Sequence, residues 1–379
     1  MPIFLALVAG FSVFLQGGYY PAFFLWAGAL LGLAFFVPGR QFYCTRGLML
    51  PAALALWYPL ASLVNGASAR SLGQAMLPLC CLLFAGLCVS LSETERKQLL
   101  VWLRRLSGVV AVFAILAFFG ILPIAGAVTA HRLQFTFQYV NAAGIWFAGT
   151  ALLRREAPDR FSDWLYPFVL IALLLTRSIG ALGLFVLFQL YVLWKGRKSL
   201  GDPHFWVPSL VLILGSAAAV ATRFQQGLGT FAERLVQSHD GLLGMLSAPL
   251  FGYGAGRWPD VKPLFETYSY RAIVVHNSYV QAGVEAGFPA LLLLAAAVVL
   301  ALWLLRRQSP SLKAAAAVIA LHAVMDFSLC FFAVDCLFLS VLALPHPPHC
   351  SPLPRWAARA FGGVSAFILV ALAVWRLAV

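Results

Sequence analysis

The sequence predicts an all-α protein, a polytopic transmembrane bundle of about 12 to 13 helices with one long periplasmic loop. Three observations predict it. First, 62% of the residues are hydrophobic and 10% are charged, with a mean hydropathy of +0.89, far from the usage of soluble domains. Second, apolar runs of about 15 to 25 residues recur along the chain, long enough to cross a hydrocarbon core as helices that satisfy their own backbone. They are too long and too continuous for barrel strands. Third, the basic residues fall in every second connection between these runs.

The apolar segments lie near 2–15, 19–37, 47–64, 72–91, 99–119, 139–153, 164–176, 179–194, 204–222, 277–305, 311–326, 329–344 and 357–376. The first and the seventh are short, as tilted, re-entrant or shielded helices are. With a cytoplasmic N-terminus, the inner connections carry Arg40 and Arg46; Arg96, Lys97, Arg104 and Arg105; Arg154, Arg155 and Arg160; Lys195, Arg197 and Lys198; Arg306, Arg307 and Lys313; and Arg355 and Arg359. That is seventeen of the 26 basic residues, and it fixes the orientation. The chain thus divides into N-terminal helices (1–222), an outer loop (223–275) and C-terminal helices (276–379). The loop is too small for an independent domain, so it is expected to pack on the bundle. Its glycines, Gly227, Gly229, Gly241, Gly244, Gly252, Gly254 and Gly256, predict turns and close backbone approach rather than a continuous helix. No basic n-region precedes the first apolar run, which argues against a cleaved signal peptide.

The net charge of +13 does not point to nucleic acid, because no basic stripe is interleaved with aromatic residues that could stack on bases. Cys80, Cys81, Cys88, Cys330 and Cys336 fall in apolar runs, while Cys44 and Cys350 fall in short connections. None lies in the long loop, so neither a disulfide framework nor a zinc spacing is expected. His346, His349 and Cys350 are close soft-ligand types, but prolines constrain them and a fourth ligand is missing, so no metal site is expected.

The stretch His276-Asn277-Ser278-Tyr279 ends the long loop and opens an apolar helix. A histidine there can take a proton from a hydroxyl at neutral pH, and the positive end of the helix macrodipole disfavours its protonated form. Equally, Asn277 or Ser278 is a plain N-cap and His276 an interfacial polar residue. Arg132, Arg177 and Arg234 are outward cations in or near apolar surroundings. Guanidinium groups suit a diphosphate because they bind it in a forked geometry and keep their proton; alternatively each arginine snorkels to water or to a lipid phosphate. Gly252-Tyr253-Gly254-Ala255-Gly256 lacks the context of a phosphate-binding loop and reads as a tight turn. His322 and Asp326 share a helix face, with Asp335 close by, as either a proton path or a structural pair. Glu93, Glu95, Asp159 and Asp163 read as solvated charges on the basic side.

Four stretches carry a resemblance: RLQFTFQYVNAAG at 132–144; LLLTRSIGAL at 173–182; ERLVQSHDGLLGMLSAPLFGYGAGRW at 233–258 with HNSYVQAGVEAGFPALLLL at 276–294; and HAVMDFSLCFFAVD at 322–335. In their order and sidedness they resemble the O-antigen ligase and O-antigen polymerase superfamily of bacterial envelope glycosyltransferases. The resemblance implies a multi-pass inner-membrane enzyme that moves a glycan from undecaprenyl diphosphate to an acceptor hydroxyl at the periplasmic face, by inversion and without metal or cofactor. It implies that His276 is the base, that Arg177 and Arg234 hold the diphosphate with Arg132 as a weaker match, and that Asn277 and Asp326 support them. The acceptor is lipid A core in a ligase and the growing lipid-linked chain in a polymerase, and the compact loop favours the ligase. A lipid-linked oligosaccharide transporter is the competing class, but the two halves show no symmetry.

Overall fold

The computed structural model describes residues 1–196, 210, 214–215, 221, 224–343 and 350–378. The expected segment at 204–222 therefore lies almost wholly outside the described residues, as do His346 and His349. The helices are α1 (Pro2–Phe14), α2 (Pro21–Leu33), α3 (Met49–Val64), α4 (Ala69–Ala75), α5 (Leu77–Val89), α6 (Glu93–Phe118), α7 (Val140–Leu152), α8 (Arg160–Thr176) and α9 (Ile179–Lys195). They continue with α10 (Phe224–Ser247), α11 (Trp258–Val261), α12 (Ser278–Leu304), α13 (Pro310–Met325), α14 (Phe332–Leu342) and α15 (Arg355–Ala378). Extended structure among the described residues is confined to two-residue strand pairs, so the protein is an all-α, multi-pass membrane bundle.

Local chemistry explains many of the helix starts. Proline opens α1, α2 and α13, where its missing N–H costs nothing. Ser92 and Glu95 form a capping box at α6, Asp159 caps α8, and Ser309 caps α13. Among the described residues, five stretches are long and apolar enough to cross a membrane: Arg46–Val64, Ala69–Val89, Glu93–Phe118, Ser278–Arg307 and Arg355–Ala378. At the centre, every residue of α7 is buried, and its surface, apolar except at Asn141 and Thr150, is covered by α6, α8, α9, α13 and α14.

The connections close on one another in two sets. At the basic end, Arg40 reaches Glu95, Arg104 and Arg154 reach Asp163, Arg105 reaches Asp159, and Ser309 reaches Glu156. Glu95, Asp159 and Asp163 were expected as solvated charges; here they tie neighbouring helices together, and the Arg104 side chain is only 3% exposed. At the other end, hereafter the loop end, Gln16 bonds Gln138, Asn65 bonds the Phe251 carbonyl, and Ser278 bonds Asp326.

Two elements differ from expectation. Residues 224–247 form a continuous helix, not a series of turns. The reason is that Gly241 and Gly244 sit on its inner face, where a Cβ would come within 2.8 Å of Val280 and 3.2 Å of Trp258. Small residues here serve close packing against α12 and Trp258 of α11 rather than chain reversal. The glycines that do turn the chain are those of 252–256, whose φ values are positive at Gly252, Gly254 and Gly256. The second difference is a break in α12 at Ala286 and Gly287. Gly287 has φ 77°, and a Cβ there would lie 2.2 Å from the Leu250 carbonyl, so the loop packs directly into the break. The freed backbone groups find new partners: Tyr253 N–H donates to Val284 O and Gly254 N–H to Glu285 O, each at 2.9 Å, and Phe288 N–H donates to Pro249 O at 2.8 Å.

Candidate active site

At the loop end, Asp326 stands where α13 stops, with extended backbone (φ −159°) and no exposure. Leaving the helix turns its carboxylate away from His322, so the pairing expected from their four-residue spacing does not form; His322 Nδ1 instead meets Ser328 Oγ at 2.6 Å. The Asp326 carboxylate is surrounded by donors. Tyr139 Oη lies 2.8 and 2.9 Å from its two oxygens, Asn141 Nδ2 donates at 2.7 Å, Arg234 Nη2 at 3.0 Å and Phe327 N–H at 2.8 Å. A buried carboxylate requires such compensation, and losing a partner from a buried ion pair costs about 3–5 kcal/mol. Arg234 also donates from Nη1 to the Met325 carbonyl at 2.9 Å, and its Nε is buried without a partner. It reaches this position because α10 is a helix whose inner face packs on the bundle.

His276 lies two residues before α12. Asn277 is the cap of that helix, its Oδ1 accepting from Tyr279 N–H and Val280 N–H at 3.0 and 3.1 Å, so its side chain is committed to the backbone. Ser278 N–H and Oγ both donate to the Asp326 carbonyl, at 3.1 and 2.9 Å, which joins the His276 segment to the end of α13. The imidazole packs edge-on against Phe327 with ring centroids 5.1 Å apart, and 6.4 Å from the Tyr139 ring. Its Nδ1 is buried and unpartnered. Burial pushes the His276 pKa below 6.5; the Asp326 carboxylate opposes this, Arg234 adds to it and Glu233 opposes it. The net result is a neutral imidazole at pH 7, the form that can accept a proton.

Arg177 ends α8 in the left-handed region (φ 49°), a conformation costing about 1–2 kcal/mol outside glycine. Arg132 Nε donates to the Thr176 carbonyl at 3.2 Å, placing a cation against the C-terminal dipole of α8, next to Arg177 in the chain. Ser178 Oγ then donates to Asn141 Oδ1 at 2.7 Å. A continuous path therefore runs from Arg132 through Thr176, Arg177 and Ser178 to Asn141, Asp326 and Arg234. Sequence reasoning singled out the arginines, His276 and Asp326, but missed Tyr139, Asn141 and Ser178. The available signal was their position at the polar starts of α7 and α9, inside the first two matched stretches.

The fold and site define a multi-pass membrane protein whose helices gather cations, a neutral histidine and the buried Asp326 carboxylate at one end. Residues 164–295, which include Arg177, Arg234 and His276, match the O-antigen ligase family profile. This bears out the resemblance to the O-antigen ligase superfamily and supports a membrane glycosyltransferase of the ligase and polymerase kind. No curated protein matches the chain.

Proposed function

We propose that the protein transfers a glycan from undecaprenyl diphosphate to an acceptor hydroxyl at the periplasmic face of the inner membrane, with lipid A core as the acceptor. The observation that carries this reading is the meeting of His276 and Arg234 around the buried Asp326 carboxylate, within the stretch that matches the family. In the transfer, the acceptor oxygen attacks the anomeric carbon and the bond from that carbon to the diphosphate oxygen breaks, with inversion. The hydroxyl proton passes to His276 as general base. Negative charge accumulates on the departing undecaprenyl diphosphate, where Arg177 and Arg234, with Arg132 behind them, hold it. Preorganised cations and one base together supply electrostatic stabilisation and orientation, so the reading requires no metal. Asn277 acts by capping the helix behind His276, and Asp326 by fixing Arg234.

The compact loop supports a ligase over a polymerase. Reconstitution of the purified protein with a lipid-linked glycan and lipid A core tests the reading: glycan joined to lipid A core is the expected product, and it disappears in His276→Ala. A lengthened lipid-linked chain would instead make the protein a polymerase. Movement of the donor across the bilayer without bond formation would make it a transporter.

A further inference from the structure

We propose that Gln281 and Glu285 are positioning residues that hold His276 in register for proton transfer; the inference rests on the reading of His276 as the base. His276 sits in a short non-helical link and has no hydrogen bond on Nδ1, so its own side chain does not fix it. The backbone on its N-terminal side is fixed by a strut. Val275 N–H donates to Gln281 Oε1 at 2.7 Å, Gln281 Nε2 donates to Glu285 Oε1 at 2.9 Å, and Gly256 N–H donates to the same oxygen at 2.9 Å. The Tyr58 hydroxyl of α3 interacts electrostatically with the Glu285 carboxylate. On the other side of His276, Ser278 is bonded to Asp326. The histidine is thus held through both flanks of its backbone, by the buried Glu285 carboxylate on one side and by the main-chain carbonyl of buried Asp326 on the other.

The residue types follow from the donors and acceptors. Position 281 must accept from a backbone N–H and donate to a carboxylate at once, which only a side-chain amide does here, and asparagine is one methylene too short to reach both. Position 285 needs only acceptors toward Gly256 and Gln281, so a glutamine there preserves the strut. Gln281 and Glu285 are 2% and 8% exposed, which leaves water no place as a substitute partner. The strut ends in the break of α12, where loop 249–256 docks, so the loop's position is transmitted to His276.

The test is steady-state transfer by the full-length protein in lipid, with lipid-linked glycan and lipid A core as substrates. Gln281→Leu is expected to lower kcat about 100-fold, the cost of a misplaced catalytic group, with donor KM within about twofold. The released imidazole gains water, so the acid limb of its pH profile moves up toward the ordinary histidine value. The groups facing it, Glu233 and Arg234 from α10, Asp326 from the end of α13 and Tyr139 from the start of α7, are unchanged in the variant. Glu285→Gln is expected to stay within about twofold of wild type, because the role is acceptance and not charge. Should Gln281→Leu fail to fold, judged by elution and thermal unfolding, Gln281→Asn carries the same expectation. Wild-type kcat in the folded Gln281 variant, or a Glu285→Gln variant as impaired as Gln281→Leu, overturns the strut while a dead His276→Ala leaves the base assignment standing. An active His276→Ala removes the base assignment instead.

Discussion

The two ends of the bundle treat charge differently. At the basic end, Arg40, Arg104, Arg105 and Arg154 each meet a carboxylate of the same chain, and those carboxylates are 15–35% exposed. At the loop end, the fully buried Asp326 carboxylate gathers an arginine, a tyrosine and an asparagine, with a histidine beside them. The first arrangement pins helices together and leaves water to moderate each pair. The second is expensive to bury and tolerates no loss of a partner, a combination that suits a site where geometry must be set before a ligand arrives. Substitutions at the two ends should therefore differ in kind: loss of transfer at one, small changes of stability at the other.

The largest effect is expected for His276→Ala, which should lower transfer about 10²–10⁴-fold, the contribution of a positioned general base, with the protein still folded in the membrane. Arg234→Lys comes next. A lysine keeps the charge but cannot bond the Asp326 carboxylate and the Met325 carbonyl together as the guanidinium fork does, so transfer should fall about 100-fold, mostly in donor KM. A full-rate Arg234→Lys would show that the fork is not used. Asn141→Leu should cost about tenfold, within the effect of small misplacements, because it cuts the link between Ser178 and Asp326 without touching either cation.

The bundle was legible because it is written in local composition, in the length and apolarity of the runs. The break at Ala286 and Gly287 was written too, in Gly287 and Pro289, but hydropathy continues across it and hides it. Helix α10 was misread because seven glycines in the loop outweighed an apolar periodicity in which Gly241 and Gly244 take part as small packing residues. In the site, charge drew the eye to His276 and Arg234. Tyr139 and Asn141 are neutral and 187 and 185 residues from Asp326, and nothing in their own neighbourhood announces a partner so far along the chain.

Smaller effects come from pH. Because the His276 pKa lies below 6.5, transfer should be flat above that value and fall as acid protonates the base. Asp326 raises this pKa and Arg234 lowers it, so Asp326→Asn should move the acid limb to lower pH and Arg234→Gln to higher pH. Shifts of the same sign in both variants would mean that the limb reports another group. The rate loss and the limb shift are separate readouts, so even a poorly active variant gives a direction.

The smallest effect is expected at the basic end and sets the control. Asp159 caps α8 through Ser162 N–H and pairs with Arg105, which holds its carboxyl well below the usual carboxylate range. A depressed folded-state pKa gives stability that is present above the unfolded value of about 4 and is lost as pH falls through the folded one. Asp159→Ala should therefore cost about 1 kcal/mol of stability near neutral pH, chiefly as a lost cap, and the difference from wild type should shrink in acid. Arg105→Ala should cost less, about 0.2–1 kcal/mol, since its side chain is 33% exposed and water screens the pair. Both should leave transfer within about twofold of wild type, because misplacement must reach the reacting atoms to slow them. A large loss of transfer from either would mean that the two ends are coupled through α8, whose far end carries Arg177.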